Sequence, residues 1–173
     1  MANRKLKKVN QNQEQQFKEL YEKFGPKVQR LCLGYTGNTM EAEDLLQEVF
    51  VKIWQNLHTF RGDSQVSTWI YRIAVNTCLY QIRSAKNKKS VDLEKAPTLV
   101  ETEGDNKEMQ IQILHKAISE LKESDRLIIT LLLEEVPYPE IAQITEISEV
   151  NLRVKIHRIK QQLSIIYAKY ERL

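Results

Sequence analysis

The chain is poor in the residues that make turns and has no long apolar run. Five glycines and four prolines among 173 residues are too few for an all-β fold. No apolar run reaches the length of about eighteen residues that a helix needs to cross a bilayer. The basic start, residues 1–16, has no apolar stretch behind it, so a secretory signal is not expected. The expectation is a helical, cytoplasmic protein with no membrane insertion.

Cysteine is also scarce, and the usual catalytic patterns are missing. Cys32 and Cys78 each stand in an apolar run, which favours buried free thiols. A zinc site needs about four closely spaced ligands, so no metal or cofactor is expected. No His or Cys stands near an acid at nucleophile–base spacing, and there is no glycine-rich phosphate loop. We therefore expect no catalytic residues and a protein that is not an enzyme.

A net charge of +3 excludes a polycation, so the position of the charges is more informative than their sum. Residues 1–13 are polar and predict a disordered tail. Apolar residues then recur at helical spacing through 14–88 and again through 108–173. Between these blocks, residues 89–107 lose the period and include Pro97 and Gly104, as a flexible linker does. The pattern predicts an all-α fold of two small helical domains joined by that linker.

The clearest helix of the first block begins after Asn38. Asn38 followed by Glu41 matches a capping box, and a helix of about 17 residues is expected from there. Its outward positions form either a solvated face or a docking surface for a protein partner; they are Asp44, Gln47, Glu48, Lys52 and Gln55.

A polar loop, Phe-Arg-Gly-Asp-Ser-Gln at 60–65, separates this helix from the next one. A short loop held between two strong helices is how a scaffold presents a binding segment. From the loop to Arg83, aromatic rings alternate with basic and amide groups, which suits single-stranded nucleic acid: bases stack on rings and phosphates meet cations. Trp54 and Trp69 are expected in the core. The alternating residues are Phe60, Arg61, Trp69, Tyr71, Arg72, Asn76, Tyr80 and Arg83.

The second block ends in a pattern typical of a helix-turn-helix. A short helix that tolerates Pro139 in its first turn is followed by a turn at 145–148 and by a long helix capped by Ser148. In such a motif the second helix enters the major groove. Asn151 could read adenine, Arg153 could meet guanine or a phosphate, and the later cations could hold phosphates. An ordinary solvated basic face is the alternative; the outward residues are Asn151, Arg153, Lys155, His157, Arg158 and Lys160.

The segments AEDLLQEVFVKIW, FRGDSQVSTWIYRIAVN and ISEVNLRVKIHRIKQQL together resemble bacterial sigma-70-type factors of the extracytoplasmic-function group. The resemblance covers about residues 14–88 and 108–170. It implies sigma region 2, then a linker without a region 3 domain, then region 4. It also implies a partner, core RNA polymerase, with contacts at the β′ clamp helices and the β flap. Promoter DNA is a second partner, and the exposed docking faces suggest an anti-sigma factor as a third.

The resemblance also implies site residues. Polymerase binding would involve Asp44, Gln47, Glu48 and Phe50. A flipped base of the minus-ten element would be captured by the 60–65 loop together with Asn76, and the minus-ten set is Phe60, Arg61, Gly62, Asp63, Ser64, Arg72, Asn76 and Arg83. The minus-35 set is Ser148, Asn151, Arg153, Lys155 and Arg158.

Region 4 departs from the family pattern at several positions. Glu146 stands near the glycine that is usual in the turn, and Pro137 replaces the usual serine cap. The usual Gly-Thr-Val-Lys-Ser-Arg run is Val-Asn-Leu-Arg-Val-Lys at 150–155. The family's base contacts there are therefore not transferred one by one. Two other functions remain: a helix-turn-helix regulator that binds duplex DNA without polymerase, and a helical interaction module with merely solvated basic faces.

Overall fold

The computed structural model describes the backbone of residues 2–88 and 106–171 and the side chains of residues 12–81 and 109–171. Within these ranges every regular element is helical and no strand occurs, which confirms the all-α prediction. Nearly all of the predicted linker lies outside the described residues. The α-helices are α1 (Ala2–Thr36), α2 (Thr39–Asn56), α3 (Val66–Lys88), α4 (Asn106–Ser119), α5 (Glu123–Leu133), α6 (Tyr138–Thr145) and α7 (Glu149–Glu171), with a 3-10 turn at Leu57–Thr59.

Helix α1 is longer than the sequence pattern predicts. Its inward stripe of Leu20, Phe24, Val28 and Leu31 is buried, as the helical spacing requires. The helix begins at Ala2, within the segment 1–13 that the polar composition predicts as a tail. That segment contains three lysines, one arginine and two glutamines, which are polar but also good helix formers.

Helix α2 forms as predicted. The Asn38 side chain accepts a hydrogen bond from the Glu41 backbone N–H at 3.1 Å, which satisfies one of the free donors at the helix start. Its apolar stripe faces α1 and α3 and is buried; it consists of Leu45, Leu46, Val49, Phe50 and Ile53.

The second bundle is built around α5. Leu127, Ile128 and Leu131 are almost fully buried, which agrees with the nearly continuous apolar run of that helix. Pro137 is extended just before α6 and Pro139 lies in the first turn of α6, where a missing N–H costs little. The buried residues of α7 then complete this core; they are Leu152, Ile156 and Ile159.

The two bundles pack against each other and share one continuous apolar core. Helix α5 lies on α1, and α6 lies on α3. Gly34 lies inside α1, and the helix ends at Thr36, just before Gly37, which has a φ of +68°. A Cβ on Gly34 would stand 2.5 Å from the Thr130 Oγ1 of α5. Gly34 therefore allows the close approach of α1 and α5.

Two polar contacts reinforce the same interface. The guanidinium of Arg30 on α1 donates to both carboxylate oxygens of Glu134, at 2.5 and 2.6 Å, and this hydrogen bonding raises the pKa of Arg30. The Glu134 side chain is only 9% exposed, so the pair is more than a surface contact. Arg126 also donates to the Tyr35 carbonyl at 2.8 Å. The packing of the bundles is thus directed by paired charges as well as by apolar burial.

We predict that Gly34→Ala destabilises the folded chain. The added methyl collides with Thr130, and overpacking of this kind costs about 1–3 kcal/mol of the free energy of unfolding. Chemical denaturation measures the loss. The double variant Gly34→Ala/Thr130→Ala removes the nearest colliding atoms and should recover part of it. The single variant Thr130→Ala completes the comparison. If the losses in the free energy of unfolding of the two single variants simply add up in the double variant, the two positions are not in direct contact.

Candidate nucleic-acid interface

The loop at 60–65 is presented between the 3-10 turn and α3. Arg61, Gly62 and Asp63 are exposed, and Gly62 has a φ of +79°, a conformation that glycine adopts without strain. Phe60 is half-buried, and its ring lies 5.2 Å from that of Trp69, with the two planes tilted by 43°. The loop is therefore anchored by an aromatic pair at its start while its polar tip faces outward.

Beside this loop is a cavity of about 420 Å³ between α2 and α3, here named the α2–α3 groove. It combines a large ring surface, an exposed amide, hydroxyl groups and a cation, which is the mixture that stacking and hydrogen bonding of a nucleobase require. Asn76, predicted as a base contact, lies in it, and Trp69 connects it to Phe60. The lining residues are Lys52, Asn56, Thr59, Trp69, Ile73, Asn76, Thr77 and Tyr80.

Lys52 and Tyr80 form one end of the α2–α3 groove. The ammonium of Lys52 lies 5.7 Å from the Tyr80 ring centroid and is held by Glu48 at 2.7 Å and by the Thr77 hydroxyl at 3.3 Å. Tyr80 is 66% exposed, so its ring offers a free face. The sequence indicated Lys52 only as part of the outer face of α2. Its approach to Thr77, twenty-five positions away, follows from the crossing of α2 and α3 and from no local pattern.

The outer face of α2 presents the predicted polar residues, with one correction. Asp44 and Gln47 are exposed and Glu48 is half-buried. Phe50 is only 3% exposed and packs edge-on against Tyr21, with ring centroids 4.7 Å apart. It therefore fixes α2 on α1 and offers no surface to a partner, because its place in the apolar stripe turns it inward. Val51, which the sequence reading missed, is 53% exposed on the outer face.

Helices α6 and α7 make the helix-turn-helix. Ser148 lies at the start of α7, and its hydroxyl accepts from the Asn151 N–H at 3.4 Å, which agrees with the predicted cap. The turn residue Glu146 has a φ of +58°, in the left-handed region. A residue with a Cβ is strained there, which explains why glycine is the more favourable residue at such a turn.

Replacing Glu146 with glycine should stabilise the fold. Relief of the left-handed strain outweighs the added flexibility of the unfolded chain, for a net gain of about 0.5–1 kcal/mol in the free energy of unfolding. Thermal or chemical denaturation measures it. Gln161→Gly, at an exposed position inside α7, is the control and should lose about 1 kcal/mol. A loss at both positions would show that the turn at Glu146 is not strained.

The cations at the start of α7 are held by neighbours. The Arg153 guanidinium lies 5.2 Å from the Tyr138 ring centroid and 3.9 Å from the Glu149 carboxylate. Lys155 pairs with Asp125 at 2.5 Å. Asn151 and Arg158 line a cavity of about 520 Å³ that opens toward Lys122 at the start of α5. All five predicted minus-35 residues therefore lie on the first three turns of α7 or at its cap.

The predicted DNA-contacting face of α3 touches the helix-turn-helix. Arg72 is exposed, and its guanidinium donates to the Gln143 carbonyl of α6 at 2.8 Å. Thr68 and Ser67 donate to the Glu140 carboxylate at 2.9 and 3.2 Å. The structure thus brings Arg72 close to α6, whereas Asn76 and the loop remain apart from it. The side chain of Arg83 lies outside the described residues.

The two cysteines lie in the apolar core. Cys32 and Cys78 are free and buried, as predicted. The Cys78 thiol donates a hydrogen bond to Cys32, and this bond together with burial raises the pKa of Cys78, so the reactive thiolate is disfavoured. In the part of the chain that the structure describes, no cluster of His, Cys, Asp and Glu could hold a metal ion. The same part contains no helix that is both long and apolar enough to span a membrane.

Family models match both bundles. Residues 20–88 match sigma-70 region 2, and residues 111–163 match sigma-70 region 4. The first match contains α2, the 60–65 loop and the described part of α3, and the second contains the helix-turn-helix. The order of the two regions is the order in which the two candidate surfaces occur along the chain.

Whole-chain relatives agree. The sigma factor SigW of Bacillus subtilis (strain 168) is 29% identical, covering 94% of this chain and 95% of its own length. The sigma-E factor of Escherichia coli (strain K12) is 30% identical, covering 91% and 90%. Among solved structures, RpoE of Bartonella quintana, crystallised with the anti-sigma factor NepR, has a similar fold, with a TM-score of 0.73, 20% identity and coverage of 87% and 96%. The chain belongs to the extracytoplasmic-function RNA polymerase sigma factors of the sigma-70 family.

Proposed function

We propose that this sigma factor directs core RNA polymerase to a subset of promoters and opens the DNA at the minus-ten element, using the α2–α3 groove to hold an extruded base. The observation that carries this is the meeting of Trp69, Asn76 and Tyr80 in one cavity beside the 60–65 loop. Extruding a base costs a few kcal/mol of stacking and pairing, which a ring and a hydrogen-bonding amide can offset.

The residues of the α2–α3 groove have two roles, stacking on the base and hydrogen bonding to its edge. The exposed ring of Tyr80 supplies a stacking face, while the amide of Asn76 donates and accepts hydrogen bonds at a base edge. The 60–65 loop, with exposed Arg61, Asp63 and the flexible Gly62, borders the strand, and Phe60 holds the loop in place through Trp69. The protein makes and breaks no bond in this role, so we infer a binding factor without catalysis of its own. Because it acts on polymerase and promoter DNA, we infer that it works in the cytoplasm.

Polymerase docking is assigned to the outer face of α2. Asp44 and Gln47 are exposed, and Glu48 is oriented by Lys52 and by Gln81, which donates to it at 3.2 Å. Val51 places an apolar side chain among these polar groups, as the centre of a protein interface requires. This face is turned away from α5, α6 and α7, none of which packs on α2. It can therefore meet polymerase while the two bundles are still packed together.

Simultaneous reading of two promoter elements requires the two bundles to separate. The guanidinium of Arg72 donates to α6 in the packed form, and the Ser67 and Thr68 hydroxyls donate to Glu140. Arg72 cannot meet a minus-ten phosphate fully while it is held in this way. We infer that DNA and polymerase together replace these contacts, with residues 89–105 connecting the separated bundles. Because the two bundles are linked, their two weak contacts with promoter DNA then combine into a higher overall affinity.

The test uses the holoenzyme on a promoter that carries 2-aminopurine at successive minus-ten positions. Extrusion of a base into the α2–α3 groove should raise its fluorescence at one or two positions before nucleotides are added. Tyr80→Ala should lower that signal while duplex binding persists. Transcription without any position of enhanced fluorescence, or an unchanged signal in the variant, would contradict the groove as the base site.

A further inference from the structure

The exposed side of α7, which would face the major groove of DNA, has two apolar residues at its centre. Val150 is 73% exposed and Val154 is 48% exposed, and they are four positions apart, so they adjoin on one face of the helix. Folding requires neither, because the buried side of α7 is formed by Leu152, Ile156 and Ile159. A β-branched residue on an exposed helix face also has a poorer helix propensity than alanine. The stability of the fold therefore does not explain why Val150 and Val154 are exposed on α7.

The cations that flank this centre are already engaged. Arg153 lies against Tyr138 and Glu149, and Lys155 is paired with Asp125, whose side chain is only 13% exposed. A guanidinium reads guanine by aiming both N–H groups at one base edge, and an ammonium reads it as a free point charge. Lys155 is not presented in that way, and Arg153, whose side chain is 65% exposed, lies over the Tyr138 ring and is only loosely paired with Glu149. Asn151, by contrast, is exposed beside the valines.

The chemistry of the base edges identifies what this face fits. In the major groove only thymine presents a methyl group, and apolar side chains contact it. Adenine presents a hydrogen-bond acceptor beside a donor, which is the pair that an asparagine amide matches. Cytosine offers Val150 and Val154 no methyl, and guanine offers the Asn151 amide a poorer match. We propose that α7 reads A·T pairs, with Val150 and Val154 contacting thymine methyls and Asn151 contacting adenine.

In this arrangement the cations hold the DNA and do not specify its sequence. Arg158 and Lys122 border the same cavity as Val154 and Asn151 and can meet phosphates, which gives affinity without sequence information. The inference rests on the proposed entry of region 4 into the major groove. A protein partner on the same two valines is the competing occupant. The cations that border the patch favour a polyanion over a protein, and a pair of valines is a small patch for a protein interface.

The test has a chemical arm and a protein arm. The holoenzyme first selects duplexes from a library randomised over the upstream element. The selected duplex is then remade with deoxyuridine for thymine, which deletes only the methyl. The wild type should lose roughly threefold to fourfold in affinity for each contacted methyl. The variant Val150→Ala/Val154→Ala should bind more weakly than the wild type and should be insensitive to the replacement.

The controls separate the possible failures. Alanine favours the helix, so the double variant should remain folded. Deoxyuridine placed between the two promoter elements should change nothing, and neither should Ile165→Ala, at an exposed position near the end of α7. A G·C-rich consensus, or equal sensitivity to deoxyuridine in variant and wild type, overturns the inference. The absence of any upstream consensus would instead overturn the proposed major-groove reading by region 4.

Discussion

Alanine at Asn76 lowers the rate of promoter opening by roughly 5- to 100-fold and leaves the affinity for core polymerase unchanged. Asn76 supplies the exposed amide of the α2–α3 groove, and a buried base edge without its partner loses about 1–3 kcal/mol. Polymerase binding is assigned to Asp44, Gln47, Glu48 and Val51 on the outer face of α2, and Asn76 is not among them. Opening is measured by permanganate reactivity of unpaired thymines, and polymerase binding by titration with labelled protein.

The matched control for Asn76 is Gln15→Ala. Gln15 is an exposed amide on α1 whose side chain donates to Glu19 at 2.9 Å, on a surface without an assigned role. Its removal should alter neither opening nor polymerase binding. Equal loss of both activities in Asn76→Ala would mean that the residue supports the fold of region 2, and the base-pocket assignment would then be wrong.

Aspartate at Val51 weakens binding to core polymerase by roughly 10- to 100-fold. Val51 is the exposed apolar residue on the outer face of α2, and a carboxylate there is desolvated without a partner when the interface closes. Because the side chain is exposed in the free protein, the thermal stability of the chain should change little. Titration of core polymerase with fluorescent protein gives the affinity directly.

Ile165→Asp is the matched control, since it introduces the same charge at an apolar position that is 74% exposed and lies far along α7. It should bind core polymerase as the wild type does. If Val51→Asp retained full affinity, the docking surface would have to lie on another face of region 2. The polar residues Asp44 and Gln47 would then be a solvated face.

Local structure was predictable wherever a short-range pattern determined it. The cap of α2 at Asn38, the proline-tolerant start of α6 and the buried thiols all follow from residue chemistry at fixed spacing. The same holds for the helix-turn-helix. Errors arose where tertiary contact outweighed a local signal. Glycine usually weakens a helix, yet Gly34 lies inside α1, where its lack of a Cβ allows the close crossing with Thr130.

The candidate site was predictable in part for the same reason. Asn76, Tyr80 and the 60–65 loop could be proposed from their residue types and the resemblance, whereas the participation of Lys52 depends on how α2 crosses α3. The burial of Phe50 follows from its position on the apolar stripe of α2, although the family motif places it at the polymerase surface. The packing between the bundles could not be predicted from the local periodicity of the sequence, because contacts such as Arg30 with Glu134 join residues far apart in the chain.

Run-off transcription with core polymerase across a genomic promoter library is the most direct test of the account. With this protein added, transcription should begin at a defined subset of promoters that share two elements, and the minus-ten DNA at those promoters should be open. If core polymerase with the protein transcribes no better than core polymerase alone, while the protein binds duplex DNA tightly by itself, the account is contradicted and a simple helix-turn-helix regulator explains the chain.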